Sequence, residues 1–552
     1  MKTRRTLLVA TAVGLLLAWM VTYPLLMTLL EALGGPRAWT FAHFSEFFHR
    51  SDEWLALWRS LWISVASVVL AAAVGVPLAF LFERTEFPGR RFLGAVAALP
   101  VALPPLVGVI AFLFLYGESG FVSRAVQGLL RLQEPPWRLA GPGAVLLVHA
   151  YSMYVYFYLF TRAALSRLDA ALLEAAASLG AGRWRTLFQV TLPLLRPALG
   201  SAALLTFMTS LASFSAPYIF GGGFRVMTTQ IIASKLNGEQ NLAQVEAVML
   251  AVIAILGLAV LRRLDRTADA GGATGVRGIA PARRRLRSVW SRALAGGLGW
   301  TMAAVLLLPH AVLALISFVP PFTWTNQAIP PVLDGRNWAG LITREHLRPV
   351  VNSLWMATAA TLGALVLGLA AARLAAVRRR GFLAGALEWL IALPWAIPGT
   401  VFAVALATTF GVSQPWLGRF VLIGTPWILP LAYLARNLPL TGRGALAGLR
   451  GMDPALEEAA ASLGADRWRR LWRVVLPLLR PAIAAGAGLA FITALGDLVT
   501  SIVLYTYDTR PISIEILSSL RLQDLGLAAV YGVLLMTAST AAFLLWGQGE
   551  SR

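Results

Sequence analysis

Long apolar runs recur from one end of this chain to the other, and no other feature restricts its fold so tightly. Each run is about 18 residues or longer, and at 1.5 Å per helical residue that length crosses a hydrocarbon core of roughly 30 Å. In lipid a spanning segment must satisfy its own backbone polar groups, which makes a helix the form open to such runs. They begin near Thr6, Leu57, Phe92, Pro142, Ala198 and Gln244, and again near Ala293, Val350, Leu383, Gly418, Ile483 and Gly526. The expectation is an all-α integral membrane protein of about twelve transmembrane helices. With 58% hydrophobic and 13% charged residues among 552, the composition is far from that of a soluble protein.

The net charge of +21 is placed by topology. If the basic start, "MKTRR", stays in the cytoplasm and the chain crosses at every run, most Lys and Arg fall on the cytoplasmic side while the acids do not follow that split, as the positive-inside rule requires. Some of the excess also favours anionic lipid. Nucleic acid is not an expected partner, because no basic patch sits on a soluble fold. Cysteine is absent, which excludes disulfides and thiolate metal sites. The first run lacks a small-residue cleavage pattern and is expected to be a retained span.

One polar stretch is written twice. "EAAASLGAGRWRTLFQVTLPLLRPA" runs from Glu174 to Ala198, and "EAAASLGADRWRRLWRVVLPLLRPA" runs from Glu458 to Ala482, with 20 of 25 positions identical. Residues 352–370 likewise echo 59–79, and "ALPWAIPGTV" (392–401) echoes "ALPVALPPLV" (98–107). The order matches in both halves, and with six spans each, both halves start and end in the cytoplasm. The repeat is therefore parallel, about an axis along the membrane normal. This gives a first half over 1–262 with a loop at 162–197, a Gly- and Arg-rich cytoplasmic linker over 263–292, and a second half over 293–552 with a loop at 436–481. Pro100, Pro104, Pro105, Pro394 and Pro398 fall within spans, where they either kink for packing or mark segments lining a path.

The repeated stretch has the chemistry of a short helix, a turn and a second helix. "LDAALLEAAASLG" is rich in helix formers, Asp169 suits an N-cap, and Gly180 suits the helix end. Glu174, Arg183, Trp184 and Arg185 would then face the cytoplasm. Headgroup anchoring could explain one such hairpin. Two nearly identical copies at matching places point instead to two equivalent docking surfaces.

At these residues the chain resembles the membrane-spanning subunits of type I ATP-binding-cassette importers. The family's pattern of Glu-Ala-Ala, Gly and aliphatic-x-Leu-Pro stands as Glu174, Ala175, Ala176, Gly180, Val190, Leu192 and Pro193. It stands again as Glu458, Ala459, Ala460, Gly464, Val474, Leu476 and Pro477, with valine replacing the commoner isoleucine in both. The resemblance implies that each stretch is a cytoplasmic coupling helix. Glu174, Ala175, Ala176, Gly180, Arg183 and Trp184, with Glu458, Ala459, Ala460, Gly464, Arg467 and Trp468, would meet two copies of an ATPase subunit. It also implies a substrate-binding protein docking on the outer loops 31–56, 118–141, 221–243, 320–349 and 505–525. The location implied is the bacterial inner membrane, with both termini cytoplasmic. Segments 211–231 and 494–536 resemble the ferric-iron permeases and, more distantly, the thiamine permeases. Ferric iron is thus the expected cargo, with thiamine or another small polar solute (phosphonate, polyamine, oxyanion) as alternatives.

No P-loop is present, since the two lysines, Lys2 and Lys235, do not follow glycine. The chain is expected to be a transport subunit without an ATPase site or cofactor. Ser213 aligns with Asp497, read as the one acid well inside a span and so a pathway candidate, together with Pro104 and Pro398. A packing carboxylate bonded to backbone or Thr500 is the competing account of Asp497. Glu388 and Arg373 lie near the cytoplasmic edge, where snorkelling accounts for them. His43, His49, His149, His310 and His346 are dispersed and suggest no metal site. An ion-coupled carrier is the rival of another class, but it predicts more intramembrane charge and no duplicated cytoplasmic helix.

Overall fold

The structure is a computed structural model and describes residues 2–35, 39–101, 103–269, 281–286, 288–324, 327, 329–377, 381–412 and 421–547. It is helical almost throughout. Among the described residues ten helices are long and apolar enough to cross a membrane, or eleven if one bent pair counts as a single span. The run expected from Gly418 begins outside the described residues. Its helix, Ile428–Gly451, carries Arg436, Arg443 and Arg450 and is too polar to be counted.

Each half is built round one close helix crossing. Ser51–Arg84 packs along Gly141–Leu165, and Arg344–Val377 packs along Ile428–Gly451. A glycine sits at the same place in both crossings. A Cβ on Gly75 would collide with the Tyr154 carbonyl oxygen, and one on Gly368 would lie 2.6 Å from Thr441 Oγ1. Without a water-driven hydrophobic force between spans, such small residues let backbones approach closely.

The third run of each half is broken at its prolines. In the first half the short helix Arg90–Val96 gives way to a turn, and Pro105–Tyr116 starts anew; in the second, Phe382–Ala396 meets Gly399–Phe410 at a bend of 110°. Pro104 and Pro398 are both extended (ψ 136° and 144°) and act as N-caps of the new helices. Proline cannot donate to the preceding turn and forces its predecessor out of the α region, so a helix stops there and restarts.

The halves exchange their first spans. The Tyr23–Ala32 helix of the first half lies on Gly399–Phe410 of the second, with Trp19 edge-on to Phe410 at 5.2 Å, and Val289–Ile316 lies on Pro105–Tyr116 of the first. Tyr151 also donates to the Leu306 carbonyl at 2.9 Å. One apolar core runs continuously through both halves. The flexible linker expected over 263–292 lies partly outside the described residues. Its described piece pairs with the residues that follow Ser51–Arg84, Thr85 opposite Arg284 and Glu86 opposite Arg285, and Arg283 bonds Glu83 at 2.8 Å.

Candidate functional site

The two repeated stretches fold alike in detail. Asp169 caps Ala170–Ser178 by accepting from the Ala171 N–H at 3.0 Å, and Asp453 caps Pro454–Ser462 by accepting from Ala455 N–H at 2.9 Å. Gly180 (φ 75°) and Gly464 (φ 81°) end these helices in the left-handed region that glycine adopts freely. Around them the last carbonyls are satisfied identically: Gly180 N–H donates to Ala177 and Ala181 N–H to Ala176, as Gly464 does to Ala461 and Ala465 to Ala460. This is the six-to-one, five-to-two closure of a Schellman motif. Second short helices follow, Arg183–Thr186 and Arg467–Arg470. A wide π turn then leads each into its next span, at Leu187–Thr191 and Leu471–Val475. Pro193 and Pro477 lie just beyond, and the widened turn accommodates the donor each lacks.

These segments are open to solvent. Glu174, Ala175, Gly180 and Arg183 are exposed, as are Glu458, Ala459, Gly464 and Arg467, while Ala176 is buried and Ala460 half-buried. Trp184 is 74% exposed and Trp468 69%; Leu179, Leu463, Phe188 and Trp472 are exposed in the same segments, and Trp184 stacks on Phe188 at 6.1 Å. Each copy thus presents the same mixed apolar and basic face.

What anchors the two copies differs. Arg373, from the end of its span, grips Glu457 through two bonds of 2.6 and 2.5 Å, and that grip holds the carboxyl below its usual range. Arg373 is therefore a fixed partner of the helix Pro454–Ser462 and not a snorkelling end. Glu388 likewise pairs with Arg450. The matching place in the first half holds Phe80, packed on Leu165, Leu168 and Leu195.

Ser213 and Asp497 occupy matching positions in separate networks. Ser213 Oγ lies 2.9 Å from His149 Nε2, whose other nitrogen meets Ser67 at 2.8 Å and Ser210 at 3.2 Å. Asp497 accepts from Thr500 N–H at 2.7 Å and Thr500 Oγ1 at 3.1 Å, and it forms an ion pair with Arg436. The Thr500 contact read as packing is present, but so is a charge partner. Pro104 touches the Gly496 turn, and Pro398 precedes Gly399, against which the Arg436 guanidinium lies.

The sequence reading missed three groups. Arg436 looked like the start of a cytoplasmic loop, whereas it sits two turns inside a helix. Asp497 is not well inside a span, since its helix ends at Leu495 and it lies in the turn beyond; an acid that is inside one, Glu246, is fully buried in Gln240–Val260, bonded to Ser234 and neighbouring the buried Glu53, itself bonded by Gln230 at 2.9 Å. Both acids lie within two turns of helix starts, Glu53 inside the expected loop 31–56 and Glu246 at the edge of the run from Gln244, so that neither stood out as a buried charge. His149 gave no signal, since its serine partners are spread over two helices and the turn that follows one of them.

The chain matches the family model described as "Binding-protein-dependent transport system inner membrane component" over residues 71–269 and again over 364–548. It is 31% identical over 544 residues to a probable ABC transporter permease protein, y4fN, of Sinorhizobium fredii, covering 96% of this chain and 95% of that one. It is 28% identical over 513 residues to the ferric transport system permease protein FbpB of Actinobacillus pleuropneumoniae, covering 90% and 71%. It is 26% identical over 467 residues to the thiamine transport system permease protein ThiP of Escherichia coli, covering 81% of each. With two matches in tandem, the chain belongs to the inner-membrane permeases of binding-protein-dependent ABC importers, in the form that fuses both halves into one polypeptide.

Proposed function

We propose that the chain forms the membrane pathway of an ATP-driven importer of ferric iron, with two copies of a separate ATPase subunit seated on 170–186 and 454–470. The observation that carries the motor side is the pair of identically capped, exposed Trp- and Arg-bearing helices on one chain. ATP would draw the two motors together, and each coupling helix would pass that movement to its half. Both termini lie in the cytoplasm in this reading, and a substrate-binding protein docks outside. Iron rests on the ferric relative, which aligns over more of this chain than the thiamine relative does.

Reconstitution into liposomes with the ATPase and binding protein tests both parts. ATP hydrolysis should rise when the binding protein carries ferric iron. Stimulation by thiamine-loaded protein alone would reassign the cargo, and hydrolysis indifferent to any loaded binding protein would count against the importer mechanism.

A further inference from the structure

The Arg436–Asp497 pair stands between the two broken spans. Its guanidinium lies flat against Gly399, the first residue of the restarted helix Gly399–Phe410: a Cβ there would be 2.8 Å from the guanidinium carbon. Guanidinium at a helix start is electrostatically poor, because the unsatisfied N–H groups there are positive. Asp497 offsets both. The same carboxylate accepts from the Thr500 N–H, and Ser513 Oγ donates to the Asp497 carbonyl at 2.8 Å, which fixes the 496–500 turn in place. Tyr433 and Ser501, 2.6 Å apart, brace it from below. One residue before Asp497, Gly496 faces the other half: a Cβ on it would be 2.5 Å from Pro104 Cβ, the cap of the first half's restarted helix. The corresponding residues of the first half, Ser152 and Ser213, carry no charge.

We propose that Arg436 and Asp497 are the latch of the closed pathway. Resting on the reading that cargo passes between the halves, the ion pair holds the Gly496 turn against Pro104, and it releases when the halves part. The latch is one-sided, because the first half holds its matching turn with the neutral His149–Ser213 bond.

The test uses the full chain carrying Pro104→Cys in nanodiscs, where an impermeant maleimide reaches both faces. The natural sequence has no cysteine, so residue 104 supplies the one thiol. With ATPase subunits, ATP and loaded binding protein, turnover should speed labelling; if it does not, the contact is off the pathway and both the latch and the reading beneath it fall. In the resting chain alone, Asp497→Asn keeps an acceptor for Thr500 N–H but drops the charge. It should label roughly tenfold faster than the Pro104→Cys parent, the factor that about 1.4 kcal/mol gives. A resting rate equal to the parent's, with turnover still accelerating it, sinks the latch and leaves the pathway standing. Tyr433→Phe loosens the same turn without touching charge and should label like the parent; equal acceleration there would show that the ion pair is not what holds the contact. Should Asp497→Asn fail to fold, Arg436→Gln makes the same test from the other partner.

Discussion

Charged side chains in this protein are informative according to what faces them. Glu457 has two donors from Arg373 and titrates low. A carboxyl held low when folded adds stability above its unfolded value and loses it as pH falls through the folded one. Glu457→Gln should therefore lower the thermal midpoint at neutral pH, by the equivalent of about 1 kcal/mol for a partly exposed pair. The gap to the parent should close in acid, and unfolding followed across pH checks this; a gap that persists would mean packing and not charge. Glu246 is the opposite case, fully buried with Ser234 and Glu53 as neighbours and in no ion pair among the described residues. Glu246→Gln keeps a hydrogen-bonding group of the same length, so the midpoint should hold or rise, whereas Glu246→Ala should cost about 1–3 kcal/mol by stranding its partners. At this scale the sequence was least legible. The pairings of Arg436, Arg373 and Glu246 are made between residues far apart in the chain, and no local pattern records them.

Helices and turns were far more legible, because their causes are local. The apolar runs marked the spans, Asp169 and Gly180 marked the ends of the first repeated helix, and the prolines marked where the third run of each half bends. The polarity of Ile428–Gly451 hid its start, since a helix buried by protein need not be apolar all round. Glycine has two different jobs here, and substitution separates them. Gly75 and Gly368 touch neighbouring backbone or side chain, so valine at either should push two helices apart, cost about 1–3 kcal/mol or more, and reduce folded yield in size-exclusion chromatography. Nothing lies within 4 Å of a Cβ on Gly180 or Gly464, so alanine there should cost only about 1 kcal/mol of backbone strain. A bulky side chain at both sites should leave the spans folded yet detach or uncouple the ATPase. Co-purification and transport that stayed normal would remove these residues from the interface.

For the whole molecule, the repeat announced two like halves but not that they trade their first spans, because an apolar face in a sequence does not name its partner. Tyr23–Ala32 on Gly399–Phe410 and Val289–Ile316 on Pro105–Tyr116 make each half complete only with the other. Fragments 1–275 and 276–552, expressed together, should accordingly co-purify from detergent as a one-to-one pair, and each alone should be recovered poorly; independent, well-behaved fragments would contradict the exchange. The arrangement also sets a timetable. Membrane chains enter the bilayer as they are made, and Leu7–Ala32 is delivered some 350 residues before Phe382–Phe410, the surface it settles on, has been synthesised. During that interval the span has Gln240–Asp269 of its own half beside it but lipid on its other side, and the fold closes only when ribosomal output from the second half reaches back to cover it.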